Sequence, residues 1–192
     1  TMVVGQIAGV EALAALGAVD FLLWVVTGIS TGLTQGFSIQ LSQYYGAKDF
    51  ENLRKSLAHS YRLTAFIAAG VLILSQSFAS LVLTGLHTPS NIIGMSLLYL
   101  RIIFCGIPAT AAYNMFETAL RAMGNSKTPL TAMIIASVLN VSLDILFVAG
   151  FGWGVAGAAI ATVIAQSFSA VYCFLILRRI DIVHLTRADF MP

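Results

Sequence analysis

The sequence predicts an all-α polytopic membrane protein, and three observations predict it. Only 9% of the 192 residues are Asp, Glu, Lys or Arg, while 58% are hydrophobic. Soluble domains carry about 25% charged residues, and a chain this apolar could not cover a water-facing surface. Four long stretches, 21–47, 63–100, 102–116 and 145–177, hold no Asp, Glu, Lys or Arg, and a fifth, 128–143, ends at Asp144. A helix needs about 20 mostly apolar residues to cross a bilayer. Third, the basic residues recur on alternate loops, as the positive-inside rule requires of a chain threaded back and forth.

Five spans follow in order: 20–46, 62–84, 92–121, 128–149 and 155–177. The uncharged stretch 63–100 is too long for one span, and Gly85-Leu-His-Thr-Pro-Ser-Asn91 breaks it; Gly150-Phe-Gly-Trp-Gly154 breaks the run that begins at Ala132. Gly and Pro at that density mark turns. Residues 1–10 read as the tail of an earlier span, so the sequence is expected to be a piece of a longer protein. Lys48, Arg54, Lys55 and Arg62, then Arg121 and Lys127, then Arg178, Arg179 and Arg187 are nine of the ten basic residues, and all fall on one side. The N-terminus is therefore expected outside and the C-terminus in the cytoplasm. The exception is Arg101, near the outer end of the third span, which is expected to snorkel to the surface. Trp24 and Trp153 fall near the outer boundary, where interfacial aromatics gather.

Within the spans, Gly28, Gly32 and Gly36 recur every four residues, as do Gly157, Ala161, Ala165 and Ser169. Such small-residue faces let helix backbones approach closely. Pro108, after Gly106, is expected to kink the third span. Cys105 and Cys173 lie in apolar runs and read as packing residues, not as a disulfide or metal framework.

The chemistry concentrates on one segment. Ser137, Asn140 and Asp144 are spaced three and four apart inside an otherwise apolar run, so on a helix they share a face. Asp144 lies 15 residues beyond Pro129, about 22 Å from the inner helix end and so within the bilayer. A carboxyl group there is costly unless it faces protein, water or an ion. It can bind and release a proton or keep its charge beside a cation; the structural alternative is a carboxyl satisfied by hydrogen bonds. Thr162 is about 12 Å into the last span, at matching depth. The two spans are sequential and joined by a short loop, so they are expected to be neighbours. A hydroxyl, an amide and a carboxylate are the oxygen ligands that a hard cation such as Na⁺ prefers. The third span carries Tyr99 at its outer end, then Asn114, Glu117, Thr118 and Arg121 lower down. Glu117 and Arg121 are expected to pair locally, and Asn114 to line a cavity. His59, His87 and His184 are expected in loops or the tail. No nucleophile–base or metal-binding motif is present, so an enzyme is not expected, nor a cofactor beyond a coupling ion. The basic loops are orientation signals, so nucleic acid is not an expected partner.

Several stretches carry a family resemblance. They are Val4-Gly5-Gln-Ile-Ala-Gly9-Val-Glu-Ala-Leu13-Ala14-Ala15-Leu-Gly17, Gly32-Leu-Thr-Gln-Gly36 leading to Ser42-Gln43-Tyr-Tyr-Gly46-Ala47-Lys48, Leu120-Arg121-Ala-Met-Gly124-Asn-Ser-Lys127-Thr-Pro129, Asn140-Val-Ser-Leu-Asp144 and Gly154-Val-Ala-Gly157-Ala-Ala-Ile-Ala-Thr162. In this order they resemble the multidrug and toxic compound extrusion (MATE) transporters. The resemblance implies helices two to six of the N-terminal lobe of a two-lobe, twelve-helix transporter of the prokaryotic plasma (inner) membrane. It implies an antiporter that exports cationic or amphipathic small molecules in exchange for H⁺ or Na⁺. It also implies that Asn140, Asp144, Thr162 and Tyr99 belong to a cation site completed by an Asp on a first helix upstream of Thr1. Asn114 resembles a cavity residue of the family's fourth helix. The first helix and the C-terminal lobe would then be partners absent from this chain. The rival readings are a lipid-linked oligosaccharide flippase of the same superfamily, which would want more cationic residues in its cavity, and a non-transporting scaffold subunit.

Overall fold

The structure, a computed structural model, describes residues 10–180 other than 86, 87, 89 and 91. Among these residues there are helices and turns and no strand. Six α-helices follow one another: α1 (Val10–Gly46), α2 (Phe50–Gly85), α3 (Ile93–Cys105), α4 (Ile107–Ala122), α5 (Lys127–Asp144) and α6 (Gly154–Leu177). A π-helical segment, Ile145–Gly150, continues α5 without a break. Four helical segments are long and apolar enough to cross a membrane, and a fifth crossing arises if the bent pair α3–α4 counts as one. The chain is a polytopic membrane protein.

The helices overrun the apolar stretches that announced them. α1 has 37 residues and α2 has 36, or about 54–56 Å each against a hydrocarbon core of about 30 Å. The extra length of α2 precedes its apolar run. Asp49 caps it: Asn52 donates its backbone N–H to Oδ1 at 3.2 Å and its side-chain amide to Oδ2 at 2.7 Å. Lys55 bridges Glu51 one turn back at 2.8 Å. Leu53 and Leu57 face inward and are almost wholly buried. This amphipathic start places His59 on a helix, exposed, and not in the loop where it was expected. His87, His184 and residues 1–9 lie outside the described residues.

The third span breaks where Gly106 and Pro108 predicted, with a 44° bend between α3 and α4. Pro108 sits in the first turn of α4, where its missing N–H costs nothing. Gly106 is what the bend requires. A Cβ there would lie 2.8 Å from Cγ2 of Val163 on α6, so the backbone can approach α6 only without a side chain. After α5 the chain reverses through Gly152 and Gly154, both at positive φ (67° and 54°), which glycine adopts without steric cost. Trp153 in this turn stacks on Phe147 at 5.3 Å.

α6 is the centre of the bundle and packs against α3, α4 and α5. Its buried residues include Gly157, Ala161, Ala165 and Ser169, the small-residue face read from the sequence. The glycines of α1 behave otherwise. A Cβ at Gly28, Gly32 or Gly36 would meet nothing within 4 Å, so among the described residues this face is no close helix interface. α1 packs instead through Val19 and Leu41. Among the described residues two larger apolar cores form, beside a small cluster of Val148, Val155 and Ala158. One, around Leu41, Leu53, Leu120 and Leu177, lies at the end where the basic residues gather; the other, around Val19, Leu83, Leu100 and Phe104, lies at the opposite end. Large apolar side chains such as Phe66, Ile134 and Val138 point outward, as they do in a lipid-facing bundle.

Candidate functional site

α5 and α6 run beside each other and bring Asn140 to Thr162. The Asn140 amide nitrogen donates to Oγ1 of Thr162 at 3.3 Å, and Thr162 donates in turn to the Ala158 carbonyl at 2.9 Å. The Asn140 carbonyl oxygen remains an available acceptor. Both residues line a pocket of about 170 Å³ with Tyr113, Met133, Ser137 and Gln166. Tyr113, Met133 and Gln166 had no part in the sequence reading. Their chemistry is unremarkable in one dimension, and only the packing of α4, α5 and α6 gathers them.

Asp144 is one turn beyond Asn140 and outside that lining. It is 8% exposed, and among the described residues its Oδ1 has no hydrogen-bond partner. Leaving a buried polar atom unpaired costs about 1–3 kcal/mol, and more for a charged group. It is the last residue of α5, and the π-helical segment begins beside it, with Phe151 N–H donating to the Leu146 carbonyl at 3.0 Å. Such π-turns loosen the helical ladder and recur at functional positions.

Tyr99 stands between two packed groups. It lies against Val148, Val155 and Ala158, and Val148 is one turn beyond Asp144; it also lies against the cluster that contains Val19 and Leu100. Its phenol is within electrostatic reach of Asp144 and of Asp20 on α1. Asn114 lies elsewhere: it lines a groove of about 580 Å³ between α1 and α4, together with Gln35, Glu117, Thr118 and Arg121. Arg121 and Glu117 are paired at 2.6 Å. Arg101 is exposed, and its backbone carbonyl accepts the Gln76 amide at 2.9 Å. Cys105 and Cys173 are free thiols. Among the described residues no group of three or more His, Cys, Asp or Glu could hold a metal ion.

The MatE family model matches residues 1–146. The chain belongs to the MATE family. The "Probable multidrug resistance protein YoeA" of Bacillus subtilis is 33% identical over 180 residues, which cover 92% of this chain and 38% of that protein. Two solved MATE structures share the fold at 25% identity. An inward-facing multidrug resistance transporter superposes with a TM-score of 0.93 over 99% of this chain and 44% of that one. An outward-facing one gives 0.92 over 100% and 43%. The chain spans less than half the length of the relatives it matches and corresponds to part of a MATE transporter. These MATE relatives are transporters and not enzymes. The same helical arrangement fits both conformations almost equally.

Proposed function

We propose that this chain is the ion-coupling lobe of a MATE antiporter that exports cationic or amphipathic small molecules in exchange for H⁺ or Na⁺. The lobe sits in a prokaryotic plasma membrane, with its N-terminus outside and its basic end in the cytoplasm. The observation that carries this reading is the Asp144 carboxylate, buried with an oxygen that has no hydrogen-bond partner among the described residues, one turn from the Asn140–Thr162 pair. A proton or a Na⁺ ion supplies what that oxygen lacks. Na⁺ would draw on the carboxylate, the Asn140 carbonyl oxygen and the Thr162 hydroxyl, with Tyr99 closing the site from α3.

Ion binding does work only if the ion prefers one packing of the lobe over another. The π-turn after Asp144 and the bend at Gly106 are the places where this bundle departs from straight helices, and both border α6. Neutralising Asp144 relaxes its demand for a counter-charge, so the turn that carries it can settle against α6 and reshape the adjoining pocket. That the lobe resembles inward- and outward-facing relatives alike supports small local changes that tip the lobe as a body. The flippase reading is disfavoured because the polar groove and the pocket present one basic residue, Arg121, already paired with Glu117. In the protein as its cell makes it, Asp144→Asn is expected to abolish ion-coupled efflux while membrane insertion survives. Unchanged efflux would reject the coupling role.

A further inference from the structure

A second groove, between α2, α4 and α6, has no part in the coupling site. Its volume is about 450 Å³, and none of Tyr99, Asn140, Asp144 and Thr162 lines it. Of its twelve lining residues Tyr61 and Thr64 carry a hydroxyl, and none carries an amide or a charge. Five are alanines, Ala65, Ala68 and Ala69 on α2 and Ala111 and Ala112 on α4. Side chains this short leave a trough where larger ones would close the gap between the helices.

The trough lies on an outward-facing surface. Leu63 and Phe66 stand next to Thr64 and Ala65 on α2, Leu175 follows Phe174 on α6, and all three are exposed, as side chains against lipid are. Along α2 the lining runs from Tyr61 to Leu72, about 16 Å of helix. That is the depth of one leaflet of a hydrocarbon core about 30 Å thick.

The two ends of the trough differ. Leu72 and Pro108 make one end apolar. At the other, Phe116 lies between Tyr61 and Phe174, with ring centroids 5.6 and 5.3 Å apart. Positive charge stands beyond these rings. Arg178 is one turn past Phe174, to whose carbonyl its backbone N–H donates at 2.9 Å, and Arg62 follows Tyr61; both arginines are exposed. Residues 52–100 and 145–180 contain no Asp or Glu, and Glu117, next to Phe116, is paired with Arg121.

One polar atom in the wall is left over. A threonine inside a helix commonly donates its hydroxyl to the carbonyl four residues back, and Thr31, Thr84, Thr110, Thr131 and Thr162 do so here. Thr64 does not. It lies one turn inside Tyr61 and is 9% exposed, and its buried Oγ1 has no hydrogen-bond partner among the described residues.

We propose that this groove is a phospholipid site. It takes one acyl chain of an anionic lipid, with an ester carbonyl at the Thr64 hydroxyl and the phosphate at Arg178 and Arg62. The order of the groove, from apolar trough to unpartnered hydroxyl to arginine, is the order of such a molecule from tail to head. The site goes beyond the transport reading and does not depend on ion coupling. A lipid seated there fills the gap between α2 and the α4–α6 pair and stabilises the bundle by its occupancy.

The test is lipid binding by the purified protein, as its cell makes it, stripped of native lipid in detergent. It is titrated with phosphatidylglycerol or phosphatidylcholine of the same acyl chains, and native mass spectrometry counts the lipid held. The wild type is expected to prefer phosphatidylglycerol and to hold one more lipid than Ala69→Phe, whose new side chain fills the trough. Arg178→Gln should weaken phosphatidylglycerol about fivefold, the worth of one basic residue beside an anionic headgroup, and leave phosphatidylcholine within about twofold. Thr64→Val, which keeps the shape and removes the hydroxyl, should weaken both lipids alike, by about fivefold, the scale of one hydrogen bond. Glycerol phosphate, a headgroup without a chain, should not displace the lipid at equal concentration. An Ala69→Phe protein that keeps the full count, a wild type without preference between the lipids, an Arg178→Gln loss shared by phosphatidylcholine, a Thr64→Val protein that binds both as before, or displacement by glycerol phosphate would overturn the proposal. Should Ala69→Phe not insert, the Arg178→Gln and Thr64→Val titrations decide.

Discussion

If Asp144 takes up the coupling ion, that ion must stabilise the lobe, and the stabilisation must run through one oxygen. The perturbation is addition of Na⁺ at fixed pH, or of protons at fixed Na⁺, to the wild type and to Asp144→Asn. Among the described residues the buried Oδ1 has no hydrogen-bond partner; an unpaired buried polar atom costs about 1–3 kcal/mol, more for a charged group, and an ion that satisfies it offsets that cost. An ion held at 100 times its Kd stabilises the folded state by about 2.7 kcal/mol. For a body of 150–250 residues each kcal/mol moves the melting temperature by about 2–4 °C, which gives a rise of roughly 5–10 °C. Intrinsic fluorescence reads the transition, because Trp153 is stacked on Phe147 beside the π-turn and loses that contact on unfolding. In Asp144→Asn the rise should shrink to about 1 °C, since the oxygens of Asn140 and Thr162 alone do not hold a cation away from water. A rise of equal size in the variant, or none in the wild type with either ion, would refute the reasoning.

Three further outcomes are expected. Thr162→Ala should weaken ion binding more than drug binding, because the hydroxyl is paired with Asn140 and offers the ion an oxygen; equal loss of both, measured by titration of each, would point to general damage of the lobe. Gly157→Ala should destabilise the contact of the π-helical segment with α6 by about 1–3 kcal/mol, because its Cβ would stand 2.9 Å from Cβ of Phe147; an unchanged thermal melt would show that Phe147 yields. The Asn52 hydrogen bonds hold the Asp49 carboxyl below its ordinary value of 3.8. Its support of the α2 start is therefore present at neutral pH and fades as pH falls through that lowered pKa. Hydrogen exchange at the Asn52 amide should rise there, relative to its intrinsic rate, in the wild type but not in Asp49→Ala.

How much of this was legible in advance differs by element. The break at Gly106–Pro108, the turn at Gly150–Gly154 and the buried small-residue face of α6 were readable, because each depends on what a residue does to its own stretch of backbone. The first three turns of α2 were harder, since hydropathy reports the apolar run that begins near Arg62 and is silent on an amphipathic, capped extension before it. The glycines of α1 share a spacing with the small residues of α6, yet one face is packed and the other open. Spacing says that two helices can approach and not whether a partner is there.

The sequence by itself determined that the chain crosses a membrane several times, where it turns, and which of its polar residues are costly enough to need a reason. Hydropathy, charge placement and helical breaks are local quantities, additive along the chain, and lipid enforces them segment by segment. Tertiary structure alone decided which side chains meet: that Thr162 meets Asn140 while Oδ1 of Asp144 has no hydrogen-bond partner among the described residues, that Tyr99 packs against both the Val148 and the Val19 clusters, and that Tyr113 lines the pocket of Asn140 and Thr162. Those facts depend on helix rotation and on how close α3, α4 and α5 come to α6. A fraction of a turn changes each of them without altering a single residue's preference for lipid or water.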